Sequence, residues 1–246
     1  TSIIITNYNG ERCVQDAIRS VCDLKKEDYK DFDLTIVDDG SSDNSLNVIE
    51  RSISEFSKDV DIETKIITKE NGGTASARNA GLKGTSSKFV GFLDCDDQYL
   101  SGKISKSIEY LSMGDHIGIV YSDYISKDDA GRTQYVSRPT YSYDRLFEDC
   151  IVSTNCFVNR KAVESVGLFD ESIKIIEDYD LWLRICSNGY IGMHIPFPGF
   201  LYYDLSSNKT NVEMKNGGML FGKETTFIKK KKYFLNNAKF FKNKID

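Results

Sequence analysis

The first half of the chain alternates short apolar runs with stretches of helical periodicity. The apolar runs have the length of β-strands and cover residues 2–6, 34–37, 62–67 and 89–93. Between them, apolar residues recur three and four positions apart, which predicts helices around residues 14–22, 46–56 and 74–82. Strands that alternate with helices predict an α/β fold of the doubly wound class, with a mostly parallel central sheet flanked by helices.

The second half has a more mixed pattern. Strands are predicted over residues 117–121, 190–195 and 200–203, and a hairpin over 125–138 that turns at DDAGR. Helices are predicted over residues 143–150, 161–166 and 177–187. No Pro- or Ser-rich linker divides the chain, so we expect a single domain with a nucleotide-type half, residues 1–97, and a substrate-type half, residues 98–222.

Polar clusters follow three of the four predicted strands of the first half. They are TNYN, DDGSSD and DCDD. In parallel α/β sheets ligands bind beyond the carboxyl ends of the strands. The repeated placement therefore predicts one shared binding site.

The cluster that contains Asp94 and Asp96 carries candidate metal ligands. Crowded carboxylates repel one another unless a cation or proton neutralises them, and their oxygens suit Mg²⁺ or Mn²⁺. A solvated acidic loop is the alternative interpretation.

The DDGSSD cluster and the NGG segment carry weaker signals. Capping of the helix after the second strand needs only one polar residue of DDGSSD, which leaves Asp38 free to accept the imide N–H of a pyrimidine base. In the NGG segment, small residues permit close backbone approach, and Arg78 on the following helix can bond a phosphate or a base carbonyl.

The predicted helix 177–187 carries a candidate general base. Acids in a first helical turn are expected for electrostatic reasons, and this accounts for Glu177 and Asp180. Helical spacing places Asp178 at the top of the apolar face that includes Trp182. Partial burial there would raise the pKa of Asp178 toward the range of a general base.

The motifs together resemble the inverting GT-A glycosyltransferases of family 2. IIITNYN, TIVDDGSSDNS, ENGGTASARNAGL, FLDCDD, VGLFDE and EDYDLWLR occur in the order and spacing of that family. The resemblance implies a GT-A fold and transfer of a sugar from a nucleotide-diphosphate donor, most often a UDP-sugar. It further implies a saccharide or glycolipid acceptor and an Mn²⁺ or Mg²⁺ ion.

The resemblance also assigns residues. It implies that the nucleotide base is lined and held by Thr6, Tyr8, Glu11, Asp38 and Arg78. Asp94 would contact the ribose, Asp96 would bind the metal ion with Asp94 beside it, and Asp178 would be the base. The acceptor side would be shaped by Trp182 and Arg184.

One departure concerns the metal site. Many relatives carry a His after an aromatic pair near the C-terminus, whereas here Tyr202-Tyr203 is followed by DLSSNKT. His194 precedes that position and is interpreted as an ordinary strand histidine.

Two other functions stay open. One is a nucleotide- or sugar-binding module of the same fold without turnover. The other is a nucleotidyltransferase, which also uses paired acids and Mg²⁺.

The composition narrows the class of protein. The 246 residues are 40% hydrophobic and 28% charged, and the net charge of −5 argues against a protein that coats nucleic acid. The sequence shows neither a membrane-length apolar run nor the pattern of a signal peptide, so we expect a cytoplasmic location. The six cysteines form no CxxC pair and lack zinc-finger spacing to either histidine, so we expect reduced thiols.

Charge is distributed unevenly along the chain. Residues 223–246 carry eight lysines against two acids. Because the whole chain has a net charge of −5, residues 1–222 carry a net charge of −11. Aromatic residues are interleaved with these lysines, which predicts a basic amphipathic helix. Such a helix either packs on the domain or lies at the anionic inner face of the membrane.

Overall fold

The computed structural model describes residues 1–206 except 28–30, 57 and 59. The helix predicted over 223–246 lies outside the described residues, as does the predicted end of the domain at 222.

The first half is a parallel sheet covered by three helices. Its strands and helices alternate along the chain as β1 (Ser2–Asn7), α1 (Val14–Glu27), β2 (Asp33–Asp38), α2 (Ser45–Phe56), β3 (Thr64–Thr68), α3 (Thr74–Gly84) and β4 (Phe89–Asp94). The strands lie in the order β3–β2–β1–β4, and every pairing is parallel. The predicted α/β alternation is confirmed, with β3 beginning at Thr64 rather than at residue 62.

The second half extends the same sheet. Its elements are β5 (Gln98–Tyr99), α4 (Lys103–Leu111), β6 (Ile117–Asp128), β7 (Thr133–Val136), α5 (Tyr143–Glu148), β8 (Phe157–Asn159), α6 (Arg160–Glu164), α7 (Glu177–Ser187) and β9 (Ile191–Asp204). The sheet continues from β4 as β8–β6–β9–β5, and β7 pairs with β6 in the predicted hairpin. Strand β8 is antiparallel to both of its neighbours, whereas β6 and β9 run parallel.

The two strands predicted over 190–195 and 200–203 are one strand, β9. The pairing with β6 shifts register between Ile195 and Pro198. Proline has no N–H to give to a ladder and is tolerated where the pairing is irregular. The prolines between the two predicted strands therefore lie at a bulge within one strand.

The sheet is buried on both faces, as a sheet flanked by helices requires. Side chains alternate along β1, so Ile3 and Ile5 pack in one core cluster with α1 and α2, and Ile4 packs in the other. The second cluster also contains residues of α3, α6 and α7. In the part of the chain that is described, none of the helices has the length and apolar character needed to cross a bilayer.

Candidate active site

A cavity of about 1200 Å³ opens at the carboxyl ends of β1, β2 and β4. Its lining includes six of the predicted site residues, namely Thr6, Tyr8, Arg78, Asp94, Asp96 and Asp178. The second half contributes residues 149–150, 154, 175–179 and 202–203 to the lining. The structure thus brings motifs from both halves of the sequence to one cavity.

The acidic loop after β4 carries more negative charge than its surroundings neutralise. Burial, together with the like charge of Asp94, raises the pKa of Asp96 to about 6. Asp97 is 1% exposed, and burial followed by the charge of Asp96 raises its pKa well above the usual range. Crowded carboxylates of this kind favour a bound cation.

The donor atoms of this loop fit a hard divalent ion. Carboxylate oxygens are the ligands that Mg²⁺ and Mn²⁺ prefer, and Mg²⁺ commonly takes one or two carboxylates with substrate phosphates. Within the described residues, no three His, Cys, Asp or Glu side chains are grouped so as to hold an ion by themselves. An ion bound by Asp94 and Asp96 would need further oxygen ligands, such as those of a bound phosphate.

Arg78 lies at the centre of the site, where it joins two acids. Its side chain is 3% exposed and forms ion pairs with Asp94 at 2.7 Å and with Glu177 at 2.6 Å. Burial alone would lower the pKa of Arg78, but the charges of Asp94 and Glu177 outweigh burial and raise it. Arg78 lines the cavity, and its place beside the base stays a prediction; in this structure two of its nitrogens bind carboxylates.

Glu177 is a site residue that the sequence analysis missed. The preference for acids in a first helical turn was sufficient to account for a glutamate at this position. Its partner Arg78 lies 99 positions away in the chain. Only a long-range contact reveals the pairing, so no local sequence signal could have found it.

Asp178 is held by two hydrogen bonds at the start of α7. One oxygen accepts from the Thr154 hydroxyl at 2.7 Å and the other from the backbone N–H of Tyr179 at 2.8 Å. Burial, together with the charge of Glu177, raises the pKa of Asp178 against the opposing effect of Arg78. Just before this turn Ile176 has a φ of 58°, a rare backbone conformation for a β-branched residue. Strained backbone of this kind is found at functional sites.

The acid that faces the cavity from β2 is Asp39 rather than Asp38. Asp38 accepts hydrogen bonds from the Asn7 amide at 2.8 Å and from the Ser41 hydroxyl at 2.6 Å, and it does not line the cavity. Asp39 does line the cavity and accepts from Lys69 at 2.6 Å and from the backbone N–H of Gly73 at 2.8 Å. Of these two acids, Asp39 is thus the one that lines the cavity.

Three further predicted residues do not reach the cavity. Glu11 caps the turn before α2 by accepting from the backbone N–H of Asn44 at 3.0 Å. Trp182 is fully buried in the core, and Arg184 bonds the carbonyls of Val166 and Leu168 at 2.7 and 2.8 Å. None of the three lines the cavity, so the structure gives no support for direct contacts of these residues with the base or the acceptor.

His194 also lies away from the cavity. Its Nε2 is 2.7 Å from Oδ1 of Asp123, and both side chains are nearly buried in the second half of the sheet. The interpretation of His194 as a strand residue is consistent with its place in β9.

Comparison with known proteins assigns the chain to a family. Residues 2–166 match the family described as Glycosyl transferase family 2. The chain belongs to this family. Residues 131–245 also match the description Glycosyl transferase family group 2. The resemblance found in the sequence is confirmed.

Two glycosyltransferases are similar to this chain along most of its length. The uncharacterized glycosyltransferase RP339 of Rickettsia prowazekii is 32% identical over 193 residues, which is 74% of this chain and 57% of RP339. This chain therefore spans little more than half of that relative. The UDP-Glc:alpha-D-GlcNAc-diphosphoundecaprenol beta-1,3-glucosyltransferase WfgD of Escherichia coli is 31% identical over 192 residues, which is 77% of this chain and 71% of WfgD.

A solved structure identifies the fold. Residues 1–349 of S. aureus TarS, in complex with UDP-GlcNAc, superpose with a TM-score of 0.67 at 20% identity. The match covers 82% of this chain and 58% of the TarS chain. The family 2 chain described here has the GT-A fold, as predicted.

Proposed function

We propose that this protein is an inverting glycosyltransferase that moves a sugar from a UDP-sugar to a hydroxyl of a saccharide or glycolipid. The observation that carries the proposal is the half-buried Asp178 carboxylate, whose pKa is raised and which shares one cavity with the acidic loop. WfgD, by its name, uses UDP-Glc and a diphosphoundecaprenol-linked acceptor, and TarS binds UDP-GlcNAc. Both support the substrate class.

The donor would lie on the first half of the site. Tyr8 is 53% exposed at the cavity and offers a ring face to the base, and Asp39 offers a carboxylate to its imide N–H. Asp94 and Asp96 would hold a divalent ion with the diphosphate. When bound, Mn²⁺ or Mg²⁺ would neutralise the charge that develops on the departing diphosphate.

Asp178 would act on the acceptor. Its carboxylate takes the proton of the acceptor hydroxyl while that oxygen forms a bond to the anomeric carbon and the bond to the diphosphate breaks. A raised pKa suits this role, because a general base works best with a pKa near the operating pH. A single displacement with one base gives inversion, and it needs no second nucleophilic carboxylate.

Two measurements test the proposal in order. Calorimetric titration with UDP, dTDP, GDP and CMP, each with and without Mn²⁺, should give Mn²⁺-dependent binding of UDP. Transfer from UDP-glucose and UDP-GlcNAc to a lipid-diphosphate-linked GlcNAc should then fall by about 10²–10⁴-fold in Asp178→Asn, with UDP affinity retained.

The control is Asp144→Asn, which removes an exposed acid from α5. It should leave both measurements unchanged. Binding of none of the four nucleotides would contradict the donor site, and full transfer by Asp178→Asn would contradict the base.

A further inference from the structure

Thr154 and Asn155, which are separated from β8 by Cys156 alone, contact both proposed catalytic elements of the cavity. The segment lies along the end of β4, because the backbone N–H of Phe92 donates to the carbonyl of Cys156 at 3.0 Å. The loop just before it is held by Arg138, whose guanidinium donates to the carbonyls of Cys150 and Ile151. Thr154 and Asn155 are thus anchored from both sides.

Asn155 fixes the acidic loop. Its Oδ1 accepts from the backbone N–H of Asp94 at 3.0 Å, and its Nδ2 donates to the carboxylate of Asp97. Asn155 and Asp97 are 3% and 1% exposed, so the bond between their side chains is shielded from water. One amide therefore sets the position of the loop that carries Asp94 and Asp96.

Thr154 contacts the other element. Its hydroxyl donates to Oδ2 of Asp178 at 2.7 Å, and the backbone N–H of Tyr179 donates to Oδ1 at 2.8 Å. Donors on both oxygens fix the plane of the carboxylate. Each oxygen has a second lone pair, so acceptor capacity is left for a substrate hydroxyl.

We propose that Thr154 is a positioning residue that orients the Asp178 carboxylate, and that Asn155 beside it sets the place of that carboxylate relative to the acidic loop. This inference rests on the proposed role of Asp178 as the base. Thr154 is bonded to the base and Asn155 to the acidic loop. Because the two residues are adjacent, they would fix the distance between the base and the loop that faces the departing diphosphate.

The groups around Asp178 determine the direction in which its pKa should move when the Thr154 hydroxyl is removed. Asp178 faces Glu177 from its own helix, Arg78 from α3 and the thiols of Cys150 and Cys156 from the segment before β8. Burial and Glu177 raise the pKa of Asp178, whereas Arg78 and the Thr154 hydroxyl lower it. Loss of the hydroxyl should raise that pKa further.

The first test compares Thr154→Val with Thr154→Ser. Valine keeps the shape and removes the donor, so kcat/KM at neutral pH should fall about tenfold or more as the base loses its orientation. The acid limb of the pH–rate profile should move up by about one pH unit, since a hydrogen bond to a charged group has been lost. Serine keeps the donor and should restore the wild-type limb, and UDP affinity in Mn²⁺ should be unchanged in both variants.

The second test uses the neighbour. Asn155→Ala should weaken Mn²⁺-dependent UDP binding and leave the acid limb of the profile in place. General loosening of the segment would instead change nucleotide affinity and the pH profile together in both variants. Thermal unfolding of each variant checks that it is folded.

Three results would overturn the inference: a wild-type pH profile in Thr154→Val, equal impairment in Thr154→Ser, or loss of UDP affinity in Thr154→Val. If Asp178→Asn retains transfer, the proposed function fails rather than the positioning role alone. If the wild type gives no transfer with these probes, carboxyl ¹³C NMR reports the pKa of Asp178 directly. That signal is assigned by its loss in Asp178→Asn, and an unchanged pKa in Thr154→Val would refute the positioning role.

Discussion

At the scale of single residues, Lys103 is a buried charge outside the proposed chemistry. Its side chain is 0% exposed in α4, and Nζ donates to the Ser122 hydroxyl at 3.0 Å. The ammonium also lies 5.6 Å from the centre of the Phe200 ring. These contacts only partly replace water, and burial lowers the pKa of Lys103 to about 8.

Lys103 should make stability depend on pH in the alkaline range. Below pH 8 both states bind the proton, so the folded state carries the full cost of the buried charge. Between about pH 8 and 10.5 only the unfolded state still binds it, so stability rises with pH, by about 3 kcal/mol in all. Lys103→Met should be more stable than wild type at pH 7, and the difference should shrink by pH 10 in urea unfolding.

The matched control is Lys106→Met, which replaces an exposed lysine of the same helix. It should show no such change with pH. A stability difference for Lys103→Met that is the same at pH 7 and pH 10 would contradict the buried charge as its source.

Which acids line the cavity could be predicted only in part. Asp94, Asp96 and Asp178 follow from their motifs, because each stands at the end of a strand or at a helix start. Asp38 and Asp39 are indistinguishable by type, and consecutive residues point to opposite sides, so only the fold shows that Asp39 faces the cavity. Glu177 depends on a partner in the other half of the chain, and the sequence pattern carries no such information.

At the scale of elements, α3 packs closely on β1 through Gly81. A Cβ at Gly81 would lie 2.5 Å from Cγ2 of Ile4, which is fully buried in the sheet. Neither partner has free space, so the glycine sets the distance between this helix and the sheet. The same helix carries Arg78 to the site.

Gly81→Ala should therefore destabilise the protein although alanine favours helices. Overpacking of a core costs about 1–3 kcal/mol, more than the about 1 kcal/mol that alanine gains over glycine in helix propensity. Urea unfolding measures the net loss, and Lys83→Ala, at an exposed position of α3, is the control that should not lose stability. Equal or greater stability of Gly81→Ala would show that α3 shifts freely.

Three strands of the first half were predictable, whereas the two shortest strands of the second half were not. Strands β1, β2 and β4 are apolar runs buried on both faces, and their pattern is unambiguous. Strand β8 has only three residues and β5 only two, too few for a period of two to be seen. Both are defined by their neighbours in the sheet, which is a tertiary effect.

At the scale of the whole molecule, the charge of residues 223–246 opposes that of the rest. Those residues lie outside the described part, but eight lysines against two acids predict attraction to anionic lipid. Their removal should reduce co-sedimentation with phosphatidylglycerol vesicles and leave Mn²⁺-dependent UDP binding intact. The loss should be largest at low salt, where charges are least screened.

Replacement of the four lysines at 229–232 by glutamine removes positive charge without shortening the chain. This variant should lose most of the same vesicle binding. Unchanged vesicle binding after removal of residues 223–246 would leave packing on the domain as their role.

The ion pairs of Arg78 have a consequence for the protein before any donor arrives. Arg78 supplies a permanent counterion to Asp94 and Glu177, one acid from each half of the chain. The two halves are therefore tied together by charge without help from solution. Under the proposed function, a divalent ion would then be required by the sugar donor and not by the fold, so its availability would control the reaction while the protein stays folded.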